Sequence, residues 1–151
     1  MSMKLSQTGL DHLKRLEGVK LQAYQDSVGI WTIFVGLTTI NNQPIKKGQT
    51  ITMADGDKEL AKQLVKYEDA VNQTIKRDLT QSQFDALVIF CFNIGVYAFQ
   101  KSTLAKVVNE NPNNLEGVKA ELLKWVKAGG KVIEGLKSRR SQEFLIYSNK
   151  E

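Results

Sequence analysis

Glu17 and Asp26 lie nine residues apart in the segment RLEGVKLQAYQDSVGIWT, which Thr32 closes. Leu16, Val19, Leu21, Tyr24, Val28, Ile30 and Trp31 surround them in sequence. A carboxylic acid in an apolar setting and a second carboxylate in a polar one form the acid/base pair that cleaves a glycosidic bond. Spacing alone does not separate such a pair from two surface carboxylates. Other reactive side chains are scarce. His12 is the only histidine and Cys91 the only cysteine, which excludes a disulfide framework and a multi-cysteine zinc site. His12 reads as a solvated helix residue rather than a metal ligand, and Cys91 as a small core residue rather than a nucleophile. No metal site and no cofactor is expected.

The pair needs elements to hold it. Ser6 or Thr8 can cap a first helix that carries Leu10, Leu13 and Leu16 at helical spacing and stops at Gly18. Glu17 then stands at the helix C-terminus, where the dipole disfavours a charged carboxylate. From Leu21 to about Ile45 the pattern changes: SVG and NNQP read as turns and IWTIFV as a strand, giving a small hairpin or three-stranded sheet. Thr52 with Asp55 starts a long helix to about Ile75, and Thr80 caps another through about Asn93. The run ALVIFCF inside that helix is apolar on every side, as in a buried core helix. Further helices are predicted around Ser102–Asn109, Leu115–Ala128 and Lys137–Ser148.

The 151 residues, 42% hydrophobic and 25% charged, suit an ordinary globular domain. No signal-peptide apolar region occupies the first twenty or so residues, and ALVIFCF is too short to cross a bilayer. A target outside the cytoplasm would need something else to grant access. Between Gly117 and Arg140 the chain has seven basic residues against two acidic ones, a +5 excess equal to that of the whole protein. Such a segment favours an anionic partner. No reading helix or recognised motif accompanies it, so nucleic acid is not expected.

The whole chain resembles the phage lysozyme (endolysin) family, the muramidases of peptidoglycan. The family pattern is a Glu-Gly ending a helix, then Tyr-x-Asp, then Gly-x-x-Thr-Ile; here these are Glu17-Gly18, Tyr24-Gln25-Asp26, and Gly29 with Thr32-Ile33. LTQSQFDALVIFCFNIGVYAFQKSTL and LLKWVKAGGKVIEGLKSRRSQEFLIY resemble its later motifs, in the same order. The resemblance implies a mainly α, α+β, two-lobed lysozyme-like fold in a single domain. Its N-lobe would span about 1–51, a connecting helix about 52–75 and a helical C-lobe about 76–151. It implies Glu17 as general acid, Asp26 as the second carboxylate on the opposite face of the sugar, and Thr32 as the holder of the attacking water, with inversion of configuration. Phe92, Ser102 and Thr103 match positions lining the groove. Asn93 and Gly95 read as loop-shaping residues, and Arg139 and Arg140 either as ion-pairing within the C-lobe, the reading favoured, or as contacts to anionic wall material.

The implied activity is hydrolysis of the β-1,4 bond between N-acetylmuramic acid and N-acetylglucosamine. A monomer would collect in the host cytoplasm and reach the wall after a separate protein permeabilises the membrane. The chain departs from the family where Gly-Tyr-Gly-His-Thr is usual and Phe34-Val35-Gly36-Leu37-Thr38 stands instead. Alternation puts Phe34 on the face of Thr32, so its ring is expected beside the cleft. That departure motivates one rival reading, a weakly active wall-binding homologue. The other is a membrane-active antibacterial protein. In it Val118, Leu122, Trp125 and Val126 form the apolar stripe of a basic C-terminal helix, and Lys119, Lys124, Lys127 and Lys131 meet an anionic outer-membrane or lipid surface.

Overall fold

The computed structural model describes residues 2–150. The Ser6 hydroxyl accepts the Gly9 amide at 2.9 Å, an N-cap that opens α1 (Gln7–Glu17). Gly18 ends it: its amide bonds Lys14 O at 2.8 Å with φ +81°, the left-handed stop that glycine adopts without a side-chain clash. A hairpin follows, β1 (Lys20–Gln25) antiparallel to β2 (Trp31–Phe34), with Tyr24 opposite Thr32 and Gln25 opposite Trp31. β3 (Thr39–Ile40) and β4 (Gln43–Pro44) make a second, separate pair around Asn41 and Asn42, whose φ angles of 50° and 65° suit a tight turn. The segment Gln49–Ile51 bonds the outer side of β1 through Ala23 N to Gln49 O and Ile51 N to Leu21 O. Thr52 accepts the Asp55 amide at 3.1 Å and starts α2 (Met53–Thr74).

The chain forms two compact units. One is Leu10–Val65; the other combines the residues up to Gly9 with those from Lys66 onward, so the boundary falls inside α2. Leu13, Ile33, Phe34, Val35, Leu37, Leu60 and Leu64 are buried in the first unit. Lys14 and Asp57 join α1 to α2 there by a 3.0 Å ion pair.

In the second unit Thr80 and Gln83 form a reciprocal capping box at the start of α3 (Gln81–Ile94). Every residue from Gln83 to Cys91 is buried, the apolar run from Ala86 onward as a core helix requires and the polar Gln83 and Asp85 with it. Short α4 (Val96–Lys101) and α5 (Thr103–Glu110) follow, and then α6 (Leu115–Leu122). The amino-terminal arm is held by backbone amides donating to side chains: Met3 to Asn72, Leu5 to Glu68 and Ser6 to Asp85. α7 (Glu134–Ser148) packs on α3, and Phe90 of α3 meets both Phe99 and Trp125 edge-on.

One expected helix is corrected. The helix anticipated to Ala128 stops at Leu122, and β5 (Lys127–Ala128) pairs with β6 (Lys131–Val132) instead. Gly129 and Gly130 take φ +59° and +80°, the paired left-handed angles of a two-residue hairpin turn. They shape a turn rather than merely interrupting a helix. Trp125 and Val126 are therefore not on a helical stripe with Val118 and Leu122, and α7 begins three residues earlier than expected, at Glu134.

Candidate active site

Asp26 sits at the mouth of the β1–β2 hairpin. Its Oδ1 accepts the amides of Val28 at 2.9 Å and Ile30 at 2.8 Å, while its own amide donates to Ile30 O at 2.9 Å. These bonds lock the carboxylate's direction, and Oδ2 carries no hydrogen bond among the described residues. Asp26 follows Tyr24 by two along the chain, and Tyr24 faces Thr32 across the ladder. Asp26 is thus the first residue past β1, where the chain turns back toward the strand that carries Thr32. Thr32 is 4% exposed and its hydroxyl donates to Ile30 O at 2.9 Å, which leaves its oxygen lone pairs to accept a further bond.

Glu17 is the last residue of α1, so the helix C-terminus is where expected. The apolar surround is not. Glu17 is exposed, and Leu21, Val28 and Ile30 are exposed with it; on β1 only Ala23 is half-buried.

Phe34 is also corrected. Its ring is 1% exposed and lies against Gly56, where an added Cβ would meet three ring carbons at 2.4–2.6 Å. At φ +60° the backbone leaves the strand conformation, so alternation with Thr32 fails at this residue. Glycine is the natural occupant of such a φ, which gives the family's usual residue a physical reason. Leu37 is 2% exposed and belongs to the same core; its amide and carbonyl both bond Ile33 at 2.8 Å. Neither departure presents bulk at the surface.

The groove-lining positions divide. Ser102 is 4% exposed, and its hydroxyl accepts the Ala105 amide at 3.1 Å and donates to Phe99 O at 2.7 Å. It is the N-cap of α5, and this buried hydroxyl already spends its proton and one lone pair on the helix end. Thr103 is exposed; Phe92 is half-buried, edge-on to Tyr67 at 5.0 Å. Arg139 and Arg140 are consumed internally: each Nε lies 3.1 Å from a Glu143 oxygen, and Arg140 also reaches Asn93 and stacks 5.0 Å from the Phe90 ring. Glu143, 0% exposed, went unremarked in the sequence, although its i+4 and i+3 spacing from the two arginines was the available signal. Cys91 is 0% exposed, and burial pushes its thiol up to about 12. Burial likewise raises the Tyr147 phenol, which donates to Pro112 O at 2.6 Å. Among the described residues no three His, Cys, Asp or Glu side chains gather closely enough to hold a metal ion.

The phage lysozyme family model matches residues 14–143, a stretch that includes Glu17, Asp26 and Thr32. The chain belongs to the phage lysozyme family. It is 37% identical over 147 residues to the endolysin of Salmonella phage P22, covering 97% of this chain and 99% of that one. It is 36% identical over 149 residues to the endolysin of Bacillus phage PZA, but spans only 56% of that relative's length. The solved endolysin from Escherichia coli O157:H7 phage FAHEc1 superposes with a TM-score of 0.92 at 39% identity, over all of this chain and 97% of that one. The mainly helical architecture with small antiparallel strand pairs is thus the lysozyme fold of this family.

Proposed function

We propose that this phage lysozyme is an endolysin that hydrolyses the β-1,4 bond between N-acetylmuramic acid and N-acetylglucosamine in bacterial peptidoglycan. The observation that carries the reading is Asp26, held by two backbone amides in the turn of the hairpin whose second strand carries Thr32, in a chain where α1 ends on Glu17. Glu17 donates its proton to the leaving glycosidic oxygen as the bond from the muramic anomeric carbon breaks. A water held by Thr32 attacks that carbon from the opposite face and gives its proton to Asp26. The products are a muramic reducing end and a free 4-hydroxyl, and solvent returns both carboxyl groups to their starting states. Fixing Oδ1 by amides leaves Oδ2 as the basic oxygen. Attack opposite the leaving group inverts the anomeric configuration.

Phe92 and Thr103 remain candidates for contacts to the glycan. The same proposal takes the chain to work as a single lysozyme-like domain, with an N-lobe about 1–51, a connecting helix about 52–75 and a helical C-lobe about 76–151. It is a monomer that collects in the host cytoplasm and reaches the wall after a separate protein permeabilises the membrane. An anionic lipid surface, met through the basic segment that includes Lys119, Lys124, Lys127 and Lys131, is its second partner.

Mass spectrometry of muropeptides released from purified sacculi tests the reaction. Reducing ends at muramic acid are expected. Anhydro-muramic ends would make the protein a lytic transglycosylase, and no release by the folded protein would overturn the enzymatic reading.

A further inference from the structure

The basic excess between Gly117 and Arg140 sorts into two groups. Lys124 bonds Glu121 at 2.7 Å, Arg139 and Arg140 are buried on Glu143, and Lys119 lies 5.7 Å from the Phe144 ring. Lys127, Lys131 and Lys137 are exposed and make no ion pair among the described residues. Every residue from Lys127 to Gly135 is exposed, including Val132 at 52% and Ile133 at 41%. Two β-branched apolar side chains therefore stand in water beside unpaired cations, with Glu134 the only acid among them.

The register interleaves them. Val132 is opposite Lys127 and shares its face, whereas Lys131 is opposite Ala128 on the other face, with Ile133 two residues on. Each face of the hairpin thus presents a cation next to an apolar side chain. The two-glycine turn fixes the register of the strands, so these groups are presented together. Neighbouring cationic and apolar groups fit a lipid surface with anionic headgroups: the ammonium groups meet phosphates while the apolar groups enter the boundary with the acyl chains.

We propose that the β5–β6 hairpin docks the protein turn-first on an anionic phospholipid surface, so that both of its faces meet lipid, with Lys127 and Lys131 at the phosphates and Val132 and Ile133 inserted. This rests on the anionic-surface part of the proposed function, and it replaces a basic helix by a hairpin as the binding element. Wall hydrolysis and lipid docking then use different residues and can be separated.

The test uses the full chain with sedimented vesicles of phosphatidylglycerol and phosphatidylcholine, against pure phosphatidylcholine, over a salt series. Binding to the anionic vesicles, fading as salt rises, is expected. One lysine near such a surface supports about five-fold in partitioning, so K127E/K131E should lose about 25-fold or more. V132S/I133S should lose about ten-fold, while K47E, at an exposed lysine outside the basic segment, changes little. All these positions are exposed, and circular dichroism checks the fold of each variant. Lysines that only guard short strand edges against pairing would do so equally well as glutamates. Wild-type partitioning by both double variants would therefore overturn the hairpin assignment while leaving lipid binding itself standing. Absence of binding by the wild-type protein would overturn the lipid reading, with sacculus hydrolysis unaffected. If K127E/K131E loses sacculus hydrolysis yet keeps vesicle binding, the lysines serve the wall and the proposal fails.

Discussion

Replacing Gly56 by alanine should destabilise this protein, although helix propensity argues the opposite. Gly56 is the fourth residue of α2, and exchanging glycine for alanine inside a helix ordinarily gains up to about 1 kcal/mol. Here the new Cβ would lie 2.4–2.6 Å from Cε1, Cδ1 and Cζ of Phe34, more than about 1 Å inside normal carbon contact. The ring is 1% exposed, so relieving the overlap means moving a core side chain, and overpacking should cost about 1–3 kcal/mol and outweigh the propensity gain. Phe34 itself holds a left-handed φ of +60°, a conformation that costs an L-residue about 1–2 kcal/mol. Phe34→Gly removes that cost but also the buried ring, worth about 3–5 kcal/mol, and should be destabilising by about 2–3 kcal/mol net. In that background Gly56→Ala meets no ring and should stabilise by up to about 1 kcal/mol. Urea unfolding of the four proteins, followed by circular dichroism, gives the cycle directly. A coupling equal to the overpacking cost, about 1–3 kcal/mol, with a change of sign is expected. If Gly56→Ala stabilises the parent protein, or has the same effect in both backgrounds, the packing of Phe34 on α2 is wrong.

Glu17→Gln should cut sacculus hydrolysis by at least about 10²-fold without altering the urea midpoint, because the amide keeps the shape but donates no acidic proton. Asp26→Asn should lose a comparable factor, and near-normal turnover in either folded variant would remove that residue from its proposed role. Ser102→Ala deletes the α5 cap and should cost about 1–2 kcal/mol, whereas Thr103→Ala should leave stability unchanged and raise KM if the side chain meets glycan; equal unfolding midpoints for the two variants would contradict the cap. Burial keeps the Cys91 thiol protonated up to about 12, whereas the unfolded chain releases that proton above 9.0. Stability from this group is complete below pH 9 and declines from there to about pH 12, by up to about 1.4 kcal/mol per pH unit. The Tyr147 phenol adds in the same direction above its ordinary 10.0, so Cys91→Ala should flatten the loss chiefly between pH 9 and 10. An unchanged alkaline slope in Cys91→Ala would contradict this account.

What could be read from the sequence was set by groups close together along the chain. Ser6, Thr52 and Thr80 cap helices because each hydroxyl reaches an amide three residues on, and Gly18 stops α1 because its own φ permits the reversal. The Asp26 turn is equally local, its partners being Val28 and Ile30, and Thr32 stands in the strand that follows it. The family motif supplied the roles that spacing left undecided. Tertiary structure decided the rest. Phe34 reads as a strand residue beside Thr32, but burial against Gly56, twenty-two residues away, holds it at a backbone angle that breaks alternation. Ser102 reads as a groove hydroxyl until α5 shows what that hydroxyl caps. The apolar types around Glu17 suggested enclosure, yet nothing covers the β1 side chains beyond half-burying Ala23, and Leu21 is exposed. Arg139, Arg140 and Lys131 contribute equally to net charge, but α7 packed on α3 buries the two arginines around Glu143, while the two-glycine turn carries Lys131 into water. A hydrogen bond within one turn is encoded by the few residues that make it. Burial depends on which distant segment arrives opposite, and composition does not specify that segment.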